Sequence, residues 1–386
     1  MAGPVERITL THLQIPLKEP HQSPGETAIK EAILVTVESQ GGLGLGECSL
    51  STASSGPSQD RKPPPGPDAI WNELTDRLVP AVLGQSFDSI EALQVLFSNL
   101  TVAPSARVGI ETACWDLLGQ LRHASLAELM GASLKESNPC VESGLCLGLY
   151  PTVVELLKVI ETHLVEGFRR VKIDIEPGRD VELVHAVRQH FGEIPLMVDA
   201  RGAYSSADIE VFRALDDLDL LMIEQPMAPA DLAGSAALQE VIATPVGLDE
   251  SARTRTQVEA ALRCGAGRAV CLKLQCVGGY GPALELHELC RRSDVPCWVG
   301  TMPEFGIGQA HGIHLAALGN CRYPTDLGPS ARWFVDDYAA PSLEMASPGH
   351  LRIPSRPGLG FQLNHAKVRR YQVRQAEFKE RNSVVG

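Results

Sequence analysis

PLMVDA at 195–200, LDLLMIEQP at 218–226 and TPVGLDES at 244–251 are short apolar runs that each close on an acid: Asp199, Glu224 and Asp249. The acids stand 25 residues apart, and AVCLKL at 269–274 continues the series with Lys273 a further 24 residues on. Each run is followed by a stretch of helical patterning. Apolar strands buried on both faces and alternating with amphipathic helices are βα units of a parallel sheet. Outward from this stretch, VESGLCLGL (141–149), FRRVKIDI (168–175) and PCWVG (296–300) extend the alternation to seven units. Seven in a row favour a closed (β/α)-barrel over an open doubly wound sheet, although periodicity alone allows both.

Acids that end successive parallel strands share one C-terminal face, where barrel enzymes build their active sites. Three carboxylates gathered there resist ionisation unless a positive charge neutralises them. An oxygen-only donor set suits a hard cation, so Asp199, Glu224 and Asp249 are candidate ligands for Mg²⁺ or Mn²⁺. The ordinary alternative, a helix N-cap or an ion pair at the start of the next helix, explains any single one of these acids. It explains three at one register less well. Lys273 projects into the same mouth, where desolvation and a neighbouring metal are expected to lower its pKa towards that of a working base; pairing with one carboxylate is the competing role. Lys172 and Asp174, two apart on FRRVKIDI, point to one side of their strand. Val171, Ile173 and Ile175 should then face the helical layer, which favours the mouth over a surface Lys–Asp pair.

The flanks differ in character. ITLTHLQIPL, AILVTVES and GGLGLGEC between residues 6 and 48 read as an antiparallel meander. A Pro-rich stretch at 49–68 containing KPPPGP reads as an irregular loop, and helices are predicted over 69–83, 89–100 and 104–122, the last with Pro104 in its first turn. After about Asp326 the alternation stops. The expected organisation is a capping domain over 1–135, a barrel over 136–325, and a segment over 326–386 that returns toward the capping domain.

Bulk properties narrow the function. Asp plus Glu exceed Lys plus Arg by 47 to 34, which disfavours nucleic acid or an anionic membrane as partner. No apolar run reaches the roughly 18 residues of a bilayer span, and no signal-peptide pattern opens the chain. The ten cysteines form no CxxC pair and read as reduced thiols of a cytoplasmic protein.

Taken together, GLGLGECS, ARVGIETACWDLLGQ, VKIDIEPGRD, VDARGAY, IEQPM, LDES, LKLQCVGGYGPALEL and MPEFGIGQA make the chain resemble the enolase superfamily. The likeness is to its muconate-lactonizing branch, nearest to the o-succinylbenzoate synthase / N-succinylamino acid racemase group. The resemblance implies an α/β fold, a modified TIM barrel under an α+β N-terminal capping domain. It also implies Mg²⁺ on the residues matching Asp199, Glu224 and Asp249, a lyase or isomerase reaction on a small-molecule carboxylate, and abstraction of the α-proton with the ion stabilising the enediolate. Lys273 matches the family's sixth-strand lysine. Glu304 in MPEFGIG matches an acidic residue near the eighth strand; it and Arg201 are expected either to touch substrate or to support the residues that do. Association into a homo-oligomer is expected as well.

Two positions depart from the family's pattern. Its second-strand Lys-x-Lys stands here as Lys172-Ile173-Asp174, and its third-strand Asp-x-Asn as Asp199-Ala200-Arg201. A cation is lost from one strand end and another appears on its neighbour, so an Asp174–Arg201 ion pair is expected. Two-base racemisation needs a base on each face of the carbon, and a paired, strongly acidic Asp174 suits that poorly. One-base chemistry at Lys273, an elimination or dehydration, is therefore favoured, with Asp174 as base, its pKa raised by neighbouring anions, as the other option. Lys172, Asp174 and Lys273 are the candidate catalytic residues. A non-catalytic metal- or ligand-binding descendant is the competing class, and a metal-free phosphate-binding barrel using Gly306 and Gly308 is a remote third.

Overall fold

The computed structural model describes residues 3–18, 29–40, 42–50, 65–134 and 139–380. Most of the Pro-rich 49–68 segment lies outside the described residues.

The N-terminal lobe is an antiparallel sheet of Arg7–Pro16, Ile29–Ser39 and Gly42–Ser49, packed against the helix Pro104–Leu121. On the first strand Ile8 and Leu10, then Leu13 and Ile15, are buried at alternate positions, with a register shift between His12 and Leu13 that changes the parity and buries Thr11 as well. The glycines of GLGLGEC let the helix approach. A Cβ on Gly44 would lie 1.9 Å from the Ala113 carbonyl oxygen, and one on Gly46 would lie 1.9 Å from that of Gly109. Strand and helix thus meet backbone to backbone, which no larger side chain permits. The helices Ile90–Ser98, capped by Ser89, and Pro104–Leu121 follow the sequence expectation closely. The stretch 67–82 is broken into three short turns of helix, including a π segment at Leu74–Leu78.

Seven parallel strands form the second lobe: Leu145–Leu147, Val171–Asp174, Leu196–Asp199, Met222–Glu224, Val246–Leu248, Ala269–Leu272 and Cys297–Val299, hydrogen-bonded in chain order. They are numbered first to seventh below. The eighth position is irregular. Cys321 bridges Cys297, Thr325 bridges Ser143, and the Asp326 amide donates to the Val299 carbonyl at 2.9 Å, so the segment 321–327 joins the seventh strand to the first. Met197, Met222, Ala269, Cys271 and Trp298 form their own buried cluster, separate from the main core. They lie beneath the mouth: Met197, Met222 and Cys271 stand two positions before Asp199, Glu224 and Lys273, on the same side of their strands.

The chain ends on the other lobe. Gln372–Lys379 pairs antiparallel with Arg7–Pro16, adding an outer strand to the capping sheet. Among the described residues no helix is long and apolar enough to cross a membrane, and all ten cysteines are free.

Candidate active site

Register places the charged residues. Asp174 pairs with Asp199 and Asp199 with Glu224, so three carboxylates stand side by side on the second, third and fourth strands. Glu224 is in register with Gly247, two residues before Asp249, and Gly247 with Ala269, four before Lys273. Steps of two keep side chains on one side of a strand, so the stagger carries Asp249 and Lys273 inward and upward around the ring.

Ion pairs then tie these groups together. The Lys172 ammonium donates to Glu224 at 2.6 Å and to Asp326 at 2.8 Å, with all three side chains buried. Lys273 Nζ donates to Asp249 Oδ2 at 2.6 Å. Arg201 Nε donates to Asp174 Oδ2 at 2.7 Å, so the two residues that depart from the family pattern are each other's partners across adjacent strand ends. Glu304 is not among these ion pairs. It accepts from Thr301 Oγ1 and from the Met302 amide and faces Lys30 at the junction of the lobes.

The backbone at this rim is strained. Arg201 and Gln225 directly follow Asp199 and Ala200, and Glu224, respectively, and take positive φ values of 50° and 40°, an uncommon region for non-glycine residues that recurs at functional sites. The Gln225 side chain fixes the next loop: its Oε1 accepts from the Asp249 and Ser251 amides, each at 3.1 Å, and its Nε2 donates to Ser251 Oγ at 2.7 Å.

Two electrostatic expectations are corrected. Burial, the largest single influence on Lys273, would lower its pKa, but Asp249 and the further negative groups around it, Glu224 among them, together outweigh burial and hold the ammonium well above its ordinary value. Asp174 is not strongly acidic: burial and the Asp199 charge push it up to about 6 despite Arg201. Glu224 is raised to about 8 by burial and by Asp199, against the pull of Lys172 and Lys273. Asp326 goes the other way. Burial opposes its ionisation, yet Lys172 and Arg170 hold it far below the usual carboxylate range.

Several participants escaped the sequence reading. Asp326 falls where the βα alternation fades, and Arg170, which donates to it, looks like one more basic residue before the second strand. Gln225 stands in the IEQP string, but nothing local marks its side chain as the brace of the loop after the fifth strand.

The donor set is compatible with a divalent cation, by one observation above the rest: Glu224 Oε1 is buried with no hydrogen-bond partner, an acceptor that a hard cation would satisfy. Glu224 is drawn to Lys172 and Asp249 to Lys273, and no three His, Cys, Asp or Glu side chains among the described residues are gathered about one metal-sized centre. Asp199, Glu224 and Asp249 are the candidate ligands.

Fold and site together define a capped barrel enzyme whose acid–base groups line the C-terminal mouth. The mandelate racemase / muconate lactonizing enzyme N-terminal domain matches residues 6–131, and the enolase C-terminal domain-like family matches residues 155–367. An o-succinylbenzoate synthase from Geobacillus stearothermophilus is 37% identical over 96% of this chain and 96% of its own. An N-succinylamino acid racemase from Thermus thermophilus is 34% identical over 95% and 96%. The crystal structure of an enolase-superfamily member from Listeria innocua superposes with a TM-score of 0.87 at 32% identity, covering 98% of this chain and 99% of that one. The chain is an enzyme of the enolase superfamily, in its o-succinylbenzoate synthase / N-succinylamino acid racemase-like group.

Proposed function

We propose that this enzyme is a magnesium- or manganese-dependent lyase or isomerase that removes the proton α to the carboxylate of a small molecule, with Lys273 as the base. The observation that carries this reading is the asymmetry of the mouth. On one side stands a single lysine paired only with Asp249; on the other, Asp174 is held by Arg201. Lys172, locked between Glu224 and Asp326, supplies fixed positive charge to the carboxylates rather than a mobile proton. Lys273 is held as an ammonium by Asp249; Asp249 taken up as a ligand of the cation would no longer supply that counter-charge, which favours the neutral amine that accepts the α-proton, while Arg201 and Asp174 line the opposite face. A bound divalent cation supplies Lewis-acid stabilisation of charge on the substrate's carboxylate oxygens. With one mobile base the reading favours elimination of a leaving group over two-base racemisation.

A second reading gives Asp174 the opposing acid–base role. It is favoured by the raised pKa of about 6, which lets this carboxyl hold and return a proton near neutral pH. Proton exchange at the α-carbon in D₂O, measured by NMR over a panel of N-succinylamino acids and hydroxy acids, separates the two. Under the one-base reading Lys273→Ala abolishes exchange and Asp174→Ala retains it; loss in both variants establishes the pair. Absence of exchange with every carboxylate sinks both and leaves a non-catalytic binding protein.

A further inference from the structure

The helices of the barrel do not all begin in the same way. Those that follow the first five strands open on locally capped turns: Thr152, Asp180, Asp231 and Thr254 cap their helices directly, and Ser205 caps the 3₁₀ turn Ser206–Asp208 that leads into Ile209–Asp216, each accepting from a backbone amide. The long helices after the sixth and seventh strands, Tyr280–Arg292 and Gly306–Ala316, have no side-chain cap from their own N-cap residues, Gly279 and Phe305. Four amides at these two helix starts are satisfied from the capping lobe, while that of Gly306 donates to Asp337 at 2.7 Å. Glu111, on the capping helix Pro104–Leu121, accepts from the amides of Tyr280 and Gly281, each at 2.8 Å. Glu47, on the capping strand Gly42–Ser49, accepts from Phe305 at 2.9 Å and Gly308 at 3.0 Å. A carboxylate at a helix N-terminus both fills donors and meets the positive end of the helix dipole.

We propose that Glu111 is a positioning residue for Lys273. The sixth strand ends at Leu272, and only the single turn Leu274–Val277 and two glycines separate Lys273 from the amides that Glu111 holds. Gly278 and Gly279, both at positive φ, give this connection little stiffness of its own. The contact is close: a Cβ on Gly279 would lie 2.2 Å from Glu111 Oε2. Trp115 Nε1 donates to Glu111 at 3.1 Å and steadies the carboxylate within its own helix. The capping lobe therefore completes the side of the barrel that bears the base, while the carboxylate side, with its locally capped helices, is complete in itself. The inference rests on Lys273 as the base.

The test uses the full chain with magnesium added. In Glu111→Gln one acceptor oxygen becomes an NH₂ that faces an amide donor. Amide hydrogen exchange over 274–281 is expected to accelerate, with helices 153–164 and 232–241 unchanged. For α-exchange of N-succinylamino acids, kcat is expected to fall by about 10²-fold, the scale of an ångström-sized misplacement, with KM held within about threefold. Thr152→Ala, which removes a local cap on the far side of the barrel, should alter neither. Folded Glu111→Gln protein with 274–281 as protected as before overturns the proposal. So does a loosened segment with unchanged kcat, a result that leaves Lys273 standing as the base. If the parent enzyme exchanges the α-proton of no member of the panel, the reading of Lys273 as the base has failed, and the inference that rests on it falls with it. If Glu111→Gln does not fold, Glu111→Asp, which keeps both oxygens one methylene short, is read by the same measurements.

Discussion

Arg201 holds the third strand end in two ways. Its backbone takes a left-handed φ of 50°, its amide donates to Asp199 at 2.9 Å, and its guanidinium holds Asp174 at 2.7 Å. Removing it leaves Asp174, whose side chain is only 10% exposed, beside Asp199 without its counterion. Because Arg201 is itself 45% exposed, solvent discounts the pair. A double-mutant cycle of Asp174→Asn and Arg201→Gln, followed by urea denaturation, should give a coupling of about 1 kcal/mol. Additivity within error would mean that the pair contributes nothing. Glu224 gives a second prediction at this scale. Its unpartnered Oε1 belongs to a candidate metal ligand, so magnesium at a hundredfold excess over Kd should stabilise the parent by about 2.7 kcal/mol. Thermal melts with and without a chelator should show that gain shrinking in Glu224→Gln; an equal gain in both proteins would remove Glu224 from the ligand set. The strand-end acids themselves were legible from spacing, because one βα unit returns each strand to the same face. The pKa values were not. Lys273 and Asp174 are governed by neighbours that only folding delivers, Asp249 for the first and Asp199 for the second.

At the scale of elements, local patterning predicted most of what formed. Ser89 and Pro104 begin helices where their chemistry suits a first turn. The stretch 69–83 was legible as helical, but its division by a π segment was not, since that depends on how it packs against the helix Pro104–Leu121. The glycines of GLGLGEC were legible as part of a strand and not as a contact surface. Gly44→Ala places its methyl 1.9 Å from the Ala113 carbonyl oxygen, so strand and helix must separate. A loss of about 3 kcal/mol is expected, read as a lowered urea midpoint at constant m-value. Gly131, at whose Cβ position nothing lies within 4 Å, is in open space at a φ of 78°. Gly131→Ala should cost only backbone strain, about 1 kcal/mol.

Across the whole molecule, the junction of the lobes holds ionisable groups that neither lobe could bury alone. Glu47 from the capping sheet meets Tyr338 Oη at 2.8 Å as well as the amides of Phe305 and Gly308, and its carboxyl is pushed up to about 7, chiefly by burial. Lys30 is lowered to about 8, again by burial, against the attraction of Glu304 and Glu47. The raised Glu47 pKa fixes the sign of a pH effect. The folded protein keeps this proton up to about pH 7, whereas the unfolded chain releases it near the ordinary glutamate value of about 4.5. Stability from Glu47 is thus fully present below that value and is lost as pH rises to about 7, at roughly 1.4 kcal/mol per pH unit per proton. Glu47→Gln should flatten the stability profile by one proton across this window, measured by urea denaturation at a series of pH values; an unchanged slope would show that Glu47 ionises normally.

The sequence by itself determined the alternation of strand and helix, the register of Asp199, Glu224, Asp249 and Lys273, and the mismatched pair Asp174 and Arg201. These follow from periods of two and of one βα unit, which are written locally. The tertiary structure decided the rest. Asp326 reaches Lys172 across 154 residues, Glu47 reaches Gly308 across 261, and Glu111 reaches Tyr280 across 169. No local period encodes such distances. The balance of burial against charge that sets each proton's place exists only once the two lobes have closed on each other.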